Sequence, residues 1–481
     1  MQKSPNILWI YAEDTSPWMT CYGDNTVQTT NIDKLAAEGV LFENCFAPSP
    51  VCSASRSGII LGTDPVKAGV HRHRSSRTQF DQIKLPNGLK ALPQILKNAG
   101  YRTYNFGKDD FNFMYQWEDL YDNDHVEHFH WKESNGVGWK SIKPGDKPFF
   151  AQIQLEGGKS FRHKDLTSLK PELDKIGLPP YYPNHRVFRE QYANHYACIR
   201  YVDQQVGEIL NHLERLGISE ETAVFFLSDH GMEGLRHKQF CYDGGLHIPM
   251  IAKIPWHPIQ EPFQRRRPEL TSALDIFATT LALAEHPIPD SCHSRDWFSP
   301  AYEPRKYVLS SRDRCDFTID RICSVRTQRH RYILNQQPSK PWLQQSYRSN
   351  WIEEETWRKL AAEDRLTATE KVFISSQKPS EEFYDLDRDE HQVNNLIADP
   401  KYSNEIERCR EVINQWSEAT HEFASNPEGV ERDVMGALAR WREQCVDPEY
   451  NAPKLKHGKI LEKLPELRPW FISEGVGPDD R

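Results

Sequence analysis

Short apolar runs alternate with amphipathic segments over the first 285 residues. Asn6–Ala12 (NILWIYA) is apolar along its whole length, as a strand buried on both faces would be. Similar runs at 101–106, 148–155 (PFFAQIQL), 222–228 (TAVFFLS) and 249–254 predict further strands. Residues 188–216 carry apolar side chains at 188, 192, 196, 199, 202, 206, 209, 213 and 216 and stop at Gly217, which predicts one long helix. Residues 31–39, 88–99 and 270–285 read as shorter helices. Strands alternating with helices predict an α/β fold: a mostly parallel, doubly wound sheet flanked by helices.

Beyond residue 285 the texture changes. Residues 287–304 are rich in Pro and Ser and read as a connection. Short antiparallel strands are expected at 307–311, 321–326 and 331–334, a polar and partly helical stretch at 336–382, a helix at 401–420, and a proline-rich tail from 450. We therefore expect an α/β catalytic domain at 1–300 and a smaller C-terminal α+β subdomain, with a short antiparallel sheet, at 301–481.

In open α/β sheets, ligands sit beyond the carboxyl ends of the strands. Glu13-Asp14 follow the first run, Gly107-Lys108-Asp109-Asp110 the second, Glu156-Gly157-Gly158-Lys159 the third and Asp229-His230-Gly231 the fourth. Either acidic pair alone reads most simply as a helix cap or a solvated turn. Delivered together from separate strands, they form a site for a hard cation such as Ca²⁺ or Mg²⁺, which takes oxygen ligands. In residues 50–62 (PVCSASRSGIILG), Cys52 stands just before an apolar helical turn. The thiol is thus placed at a helix N-terminus, where the dipole and free N–H groups favour an anion. Arg56, one turn on, adds fixed positive charge. Cys-x-x-x-Arg by itself is better read as a buried thiol beside a capping Ser; the longer string is far more specific.

Composition narrows the field. With 60 Lys+Arg against 69 Asp+Glu, the net charge of −9 argues against a nucleic-acid coat or an anionic membrane surface as partner. No stretch approaches the roughly 18 apolar residues of a membrane helix. Ten scattered cysteines, with no CxxC pair, are neither a disulfide framework nor a zinc site and are expected as buried thiols. The apolar run near the start is too short for a signal segment, so the chain as it stands reads as cytoplasmic; a periplasmic or secreted protein with its leader removed is the alternative. The acidic total hides a basic segment. Residues 52–108 hold ten Lys and Arg against two Asp, so an anionic substrate near Cys52 is not excluded.

The string CSASRSGIILG resembles the signature of the type I, formylglycine-dependent sulfatases, a family of the alkaline-phosphatase-like superfamily. NILWIYAED, NFGK, SDHG, HKQFCYDGGLHIPMI and EEFYDLDRDEHQVNNL resemble further family motifs in the family's order, over about residues 5–420. The resemblance implies that Cys52 becomes Cα-formylglycine, whose hydrate supplies the nucleophilic oxygen. It implies that Glu13, Asp14, Asp229, His230 and the modified residue 52 hold Ca²⁺, that Arg56 stabilises the hydrated aldehyde, and that Lys108 and Lys238 grip sulfate oxygens. A sulfate ester is a poor electrophile until its oxygens are neutralised, and a metal with lysines does that. The implied substrate is a sulfated carbohydrate, of the bacterial polysaccharide-sulfatase type.

Four positions depart from the family pattern. Glu13 replaces the commoner Asp. Ala54 stands where many members have Pro, which suits a radical-type formylglycine-generating maturase as partner. Asp109-Asp110-Phe111 stand where a His often acts as base on the diol. Gly157-Gly158-Lys159 stand where a His helps protonate the leaving group, so Lys159 or His163 is expected to substitute. His71 and His73, in the segment that borders the family's substrate pocket, are candidate substrate contacts, with solvated basic loop the competing reading. His247 and Arg312 are weaker candidates, the latter for a second anionic group. An aryl sulfate is the second substrate class within the family. Phosphonate or phosphate monoester hydrolysis, or a catalytically inactive sugar-binding relative, are the readings outside it.

Overall fold

The computed structural model describes residues 4–73, 75–76, 82–123, 138–257, 265–315, 320–344 and 351–420. The expected tail from 450 lies outside the described residues, as does the rest of the chain past 420.

Strand β1 (Asn6–Ala12) is central because both of its faces are apolar: Ile7, Leu8, Trp9 and Ile10 have no exposed surface. It pairs in parallel with β4 (Phe149–Leu155) on one side and β5 (Thr222–Leu227) on the other, and β3 (Arg102–Phe106) extends the parallel half beyond β4. Past β5 the sheet becomes mixed. The strand β2 (Val40–Phe46) runs antiparallel to β6 (His247–Ile248) and β7 (Met250–Lys253), and parallel to β8 (Arg266–Ser272). Among the described residues the strand order is β3-β4-β1-β5-β7-β2-β6, with β8 beside β2.

Two groups of helices flank the sheet. Helix α1 (Thr30–Glu38) packs on the long helix Arg186–Arg215, whose Asp203 carboxylate accepts from the backbone N–H of Asn31 and Ile32 and so satisfies the first turn of α1. Helix α2 (Cys52–Leu61) packs on α3 (Leu92–Asn98) and on the helix Asp275–Leu283, whose Thr280 accepts from the Trp9 indole at 3.1 Å. All ten residues of α2 are buried.

The C-terminal region forms a separate antiparallel sheet in the order β12 (Glu381–Asp385), β11 (His330–Asn335), β10 (Ile322–Arg326), β9 (Val308–Arg312). The helix Ser403–Thr420 covers it, setting Ile406, Cys409 and Ile413 against Cys323, Val325 and Phe383. Nine cysteines are described; none is disulfide-bonded and seven are buried.

The structure departs from the pattern-based expectation in three elements. β2 was not anticipated, because VLFENCF carries a polar pair in its middle and follows the helix with one residue between. The expected helix at 270–285 is a strand up to Ser272 and a helix only from Asp275; Arg266, Arg267, Pro268 and Glu269 suit the polar edge strand that β8 forms. β12 lies at the end of a stretch read as polar and partly helical; that stretch does hold the helices Ile352–Ala362 and Ala368–Val372.

The turn after β4 is latched onto the end of β1. Gly158 N–H donates to Glu13 O at 2.7 Å, and Glu13 N–H to Leu155 O at 3.3 Å. Gly157 adopts φ +56°, and a Cβ on it would overlap the backbone of Glu13. Gly157→Ala therefore meets both a disfavoured backbone region and a backbone wall. We expect it to lower unfolding free energy by at least about 2 kcal/mol, read by denaturant titration.

Candidate active site

The strand ends and the start of α2 converge as their order requires. Val51 is extended and Cys52 is the first helical residue. The Cys52 sulfur lies 3.1 Å from His230 Nε2, 3.1 Å from Lys238 Nζ, 3.6 Å from Glu13 Oε1 and 3.7 Å from Asp14 Oδ1. Burial pushes its thiol well above the ordinary range.

Asp14 sits in the left-handed region (φ +50°) and its N–H donates to Asp229 Oδ1 at 3.0 Å, tying the ends of β1 and β5 together. Its carboxylate receives Lys238 at 2.9 Å, faces His230 Nε2 at 3.1 Å and lies 3.7 Å from Lys159. Burial opposes ionisation of Asp14, yet Lys159, Lys238 and His230 hold it well below the usual carboxylate range. Asp229 is held down likewise, against burial, by His230 and Arg56. Arg56 lies four residues after Cys52, on the same helix face. Its Nε donates to Asp229 at 2.9 Å, its Nη1 to Gln154 at 2.7 Å and to Lys108 O at 3.3 Å, and its guanidinium lies over the Tyr11 ring.

Four residues test the site for a metal. His230 Nδ1 lies 2.9 Å from Gly231 O and donates to it, which leaves the Nε2 lone pair facing Asp14 Oδ1 and Cys52 Sγ. A lone pair aimed at a carboxylate calls for a cation between them. One donor atom each from Asp14, Cys52, Asp229 and His230 lies within 4.8 Å of the others, so the set fits a divalent cation. Glu13 is not in that set. Its Oε1 takes Lys108 and, at 2.9 Å, Lys159.

The other expected residues fall in three places. Lys108, Lys159 and Lys238 are buried at the cluster, and Lys108 also faces Asp110 at 3.1 Å. His163 is half-buried and closes the 3-10 turn Gly157–Arg162 that carries Lys159. His71 faces Asp313 at 3.4 Å, and His73 N–H donates to Arg314 O at 3.0 Å. Arg312 is buried and donates to Gln239 O at 3.1 Å. His247 stacks on Phe46, bonds Glu43 O at 2.8 Å and is held below its ordinary value by burial; these contacts belong to β2 rather than to the cluster around Cys52.

Sequence reasoning passed over several supports. Gln154 and Asn105 bond each other at 2.9 Å and steady Arg56; polar residues inside otherwise apolar strands were the available signal. Burial lowers His195 to about 4, so it is neutral at pH 7, and its Nε2 accepts weakly from Ser16 N–H at 3.5 Å. His237, next to Lys238, is enclosed by Trp18, Tyr181, Tyr182 and Tyr192, with Tyr192 OH 3.0 Å from its Nε2. Those rings come from distant segments, so no local pattern announces them.

Comparison with known proteins shows the family. The sulfatase family model matches residues 5–286, and the chain belongs to that family. It is therefore a sulfuric ester hydrolase of the alkaline-phosphatase-like fold. An ulvan-active sulfatase of Formosa agariphila is 28% identical, over 95% of this chain and 81% of its own. The human N-acetylgalactosamine-6-sulfatase is 28% identical over 59% of this chain and 62% of its own. The phosphonate monoester hydrolase of Agrobacterium radiobacter shares the fold with a TM-score of 0.62 at 18% identity, over 86% of this chain and 96% of that one.

Removing Arg56 leaves the buried Asp229 carboxylate without its guanidinium. Arg56→Ala is expected to cost about 3–5 kcal/mol in unfolding free energy, read by chemical denaturation.

Proposed function

We propose that the protein hydrolyses a sulfate ester on a carbohydrate, an oligo- or polysaccharide, with a formylglycine made from Cys52 and a bound Ca²⁺. The observation that carries this reading is the convergence of Cys52, Asp14, Asp229 and His230 with Lys108 and Lys238 in one buried cluster. The two curated relatives above are named for ulvan and for N-acetylgalactosamine sulfate, which supports a sugar as the alcohol part of the ester. An aldehyde formed at Cys52 by a maturase would supply, as its hydrate, the nucleophilic oxygen. Asp14, Asp229, His230 and residue 52 would hold Ca²⁺, which would supply positive charge to polarise the sulfate.

The chain's own side chains do the rest. Arg56 fixes Asp229 through its Nε while Gln154 and Tyr11 hold the guanidinium in place. Lys238 reaches both Asp14 and residue 52, and Lys108 and Lys159 converge on Glu13, so three ammonium groups stand ready for sulfate oxygens and for the charge that builds as the ester breaks. Lys159 occupies the strand end at which relatives carry a leaving-group His, and it is the residue best placed to meet the departing sugar oxygen. Glu13 acts as the anchor of the two lysines.

The fold shared with a phosphonate monoester hydrolase keeps that class as the competing substrate. Comparing kcat/KM on an aryl sulfate and an aryl phosphonate ester separates them: the sulfatase reading expects the sulfate to be favoured, and a clear preference for the phosphonate overturns it. In a host with a formylglycine-generating maturase, the Cys52 peptide should be lighter than unmodified by about 18 Da in mass spectrometry, as CH₂SH becomes CHO. Turnover by Cys52→Ala at the wild-type rate would sink the nucleophile assignment. Chelation with EGTA is expected to lower Tm by about 5 °C, and Asp229→Asn should abolish the response.

A further inference from the structure

Lys238 reaches both Asp14 and Cys52, and it stands on a loop rather than at a strand end. A lysine is a point charge on a flexible stem, so its placement depends on how firmly the backbone beneath it is held.

That backbone is held in an unfavourable shape. Arg236 adopts φ +66° and Gln239 φ +76°, the left-handed region that residues other than glycine seldom occupy. Such a conformation persists where its surroundings over-determine it. The Arg236 guanidinium lies over the Tyr181 and Tyr242 rings, at 4.2 and 3.9 Å, and donates to His391 O at 3.0 Å and to Gln392 O. Gln239 N–H donates to Pro50 O at 2.8 Å, and its carbonyl receives Arg312 Nη1 at 3.1 Å. Both ends of residues 236–239 are thus anchored to distant segments.

Between those anchors, His237 ties the loop to the turn that carries Asp229 and His230. Its Nδ1 lies 3.2 Å from Gly244 O, and the Tyr192 hydroxyl lies 3.0 Å from its Nε2. A carbonyl only accepts, so Nδ1 carries the hydrogen, and Nε2 of the neutral ring receives the Tyr192 hydroxyl. Gly244 is itself pressed on the Asp229 turn: a Cβ on Gly231 would lie 2.0 Å from Gly244 O, and Gly231 N–H donates to Gly245 O at 3.0 Å. A Cβ on Gly244 would meet His237 Nδ1 at 2.5 Å, so the imidazole fills the space that the glycine leaves. Trp18 stacks on Tyr192 and meets His237 edge-on. The ring therefore spans from the long helix Arg186–Arg215, which carries Tyr192, to the turn beside His230, and Lys238 is the next residue along the chain.

We propose that His237 is a positioning residue for Lys238: its bonds to Gly244 and Tyr192 set the backbone from which the ammonium reaches Asp14 and residue 52. The proposal rests on the reading of Lys238 as a group for sulfate oxygens and adds what places it. His237 acts through Lys238 rather than on the ester.

The test uses the matured full chain and an aryl sulfate. His237→Ala is expected to lower kcat/KM by about thirtyfold and Tyr192→Phe, which keeps the ring and loses one hydrogen bond, by about fivefold. Asn places an amide where the imidazole has Nδ1, so His237→Asn is expected to recover at least about fivefold of the loss in His237→Ala. In a Lys238→Ala background, His237→Ala is expected to change kcat/KM by less than about twofold, because no ammonium is left to place. A residue that only supports the fold would lower activity in both backgrounds. Equal losses in His237→Asn and His237→Ala, a loss repeated in full in the Lys238→Ala background, or wild-type rates in both His237→Ala and Tyr192→Phe each overturn the proposal. If His237→Ala does not fold, Tyr192→Phe in the two backgrounds carries the same comparison. Absence of turnover by the wild type counts against the sulfatase reading instead, and hydrogen exchange then decides the positioning. The amides of Lys238 and Gln239, which donate to Met232 O and Pro50 O, are expected to exchange at least about tenfold faster in Tyr192→Phe, with those of β1 unchanged. Unchanged exchange at 238–239 overturns the proposal on that arm.

Discussion

A buried balance of charge holds the site together. Glu13, Asp14 and Asp229 bring three carboxylates into an interior from which water is largely excluded, and Lys108, Lys159, Lys238 and Arg56 bring four cations to meet them. None of these groups would be tolerated there alone, because an unpaired buried charge costs several kcal/mol. They come from the ends of β1, β3, β4 and β5, from α2 and from the loop that carries Lys238, so the pairing also fixes the relative positions of these elements. The fold and the site are in this sense one structure: Arg56 joins α2 to β5 through Asp229 and to β4 through Gln154.

Much of this was legible in the chain. Strands buried on both faces announce themselves as unbroken apolar runs, so β1, β4 and β5 and the polar residues after them could be read directly. The Cys52 string is long enough to be specific. Two strands were not legible: the edge strand β8 opens on charged residues, and β2, interior to the sheet, carries the half-buried pair Glu43-Asn44 in its middle, and such patterns compete poorly with neighbouring helical ones. The pairing of Glu13 with two lysines was invisible for another reason. Sequence shows which side chains leave the strand ends, but their distances depend on how the turn after β4 folds back onto β1, and Gly157 sets that.

Two departures from the family pattern occupy neighbouring places. Glu13 reaches Lys159, and the same oxygen holds Lys108. Asp109 and Asp110, at the other departure, are likewise engaged: Asp109 takes the Tyr115 hydroxyl and Asp110 faces Lys108. Glu13, Lys159, Lys108 and Asp110 thus form one connected patch of side chains.

The complete burial of α2 bears on the order of events in biosynthesis. The helix is walled in by β1, α3, the helix Asp275–Leu283 and Cys315 from the C-terminal half of the chain. Cys52 is 3% exposed at the start of that helix, so any enzyme that alters its side chain would have to open the finished fold or precede it. One that preceded it would meet the chain before Cys315 packs on Val51 and Ala54. Folding would then set the deadline for such a change.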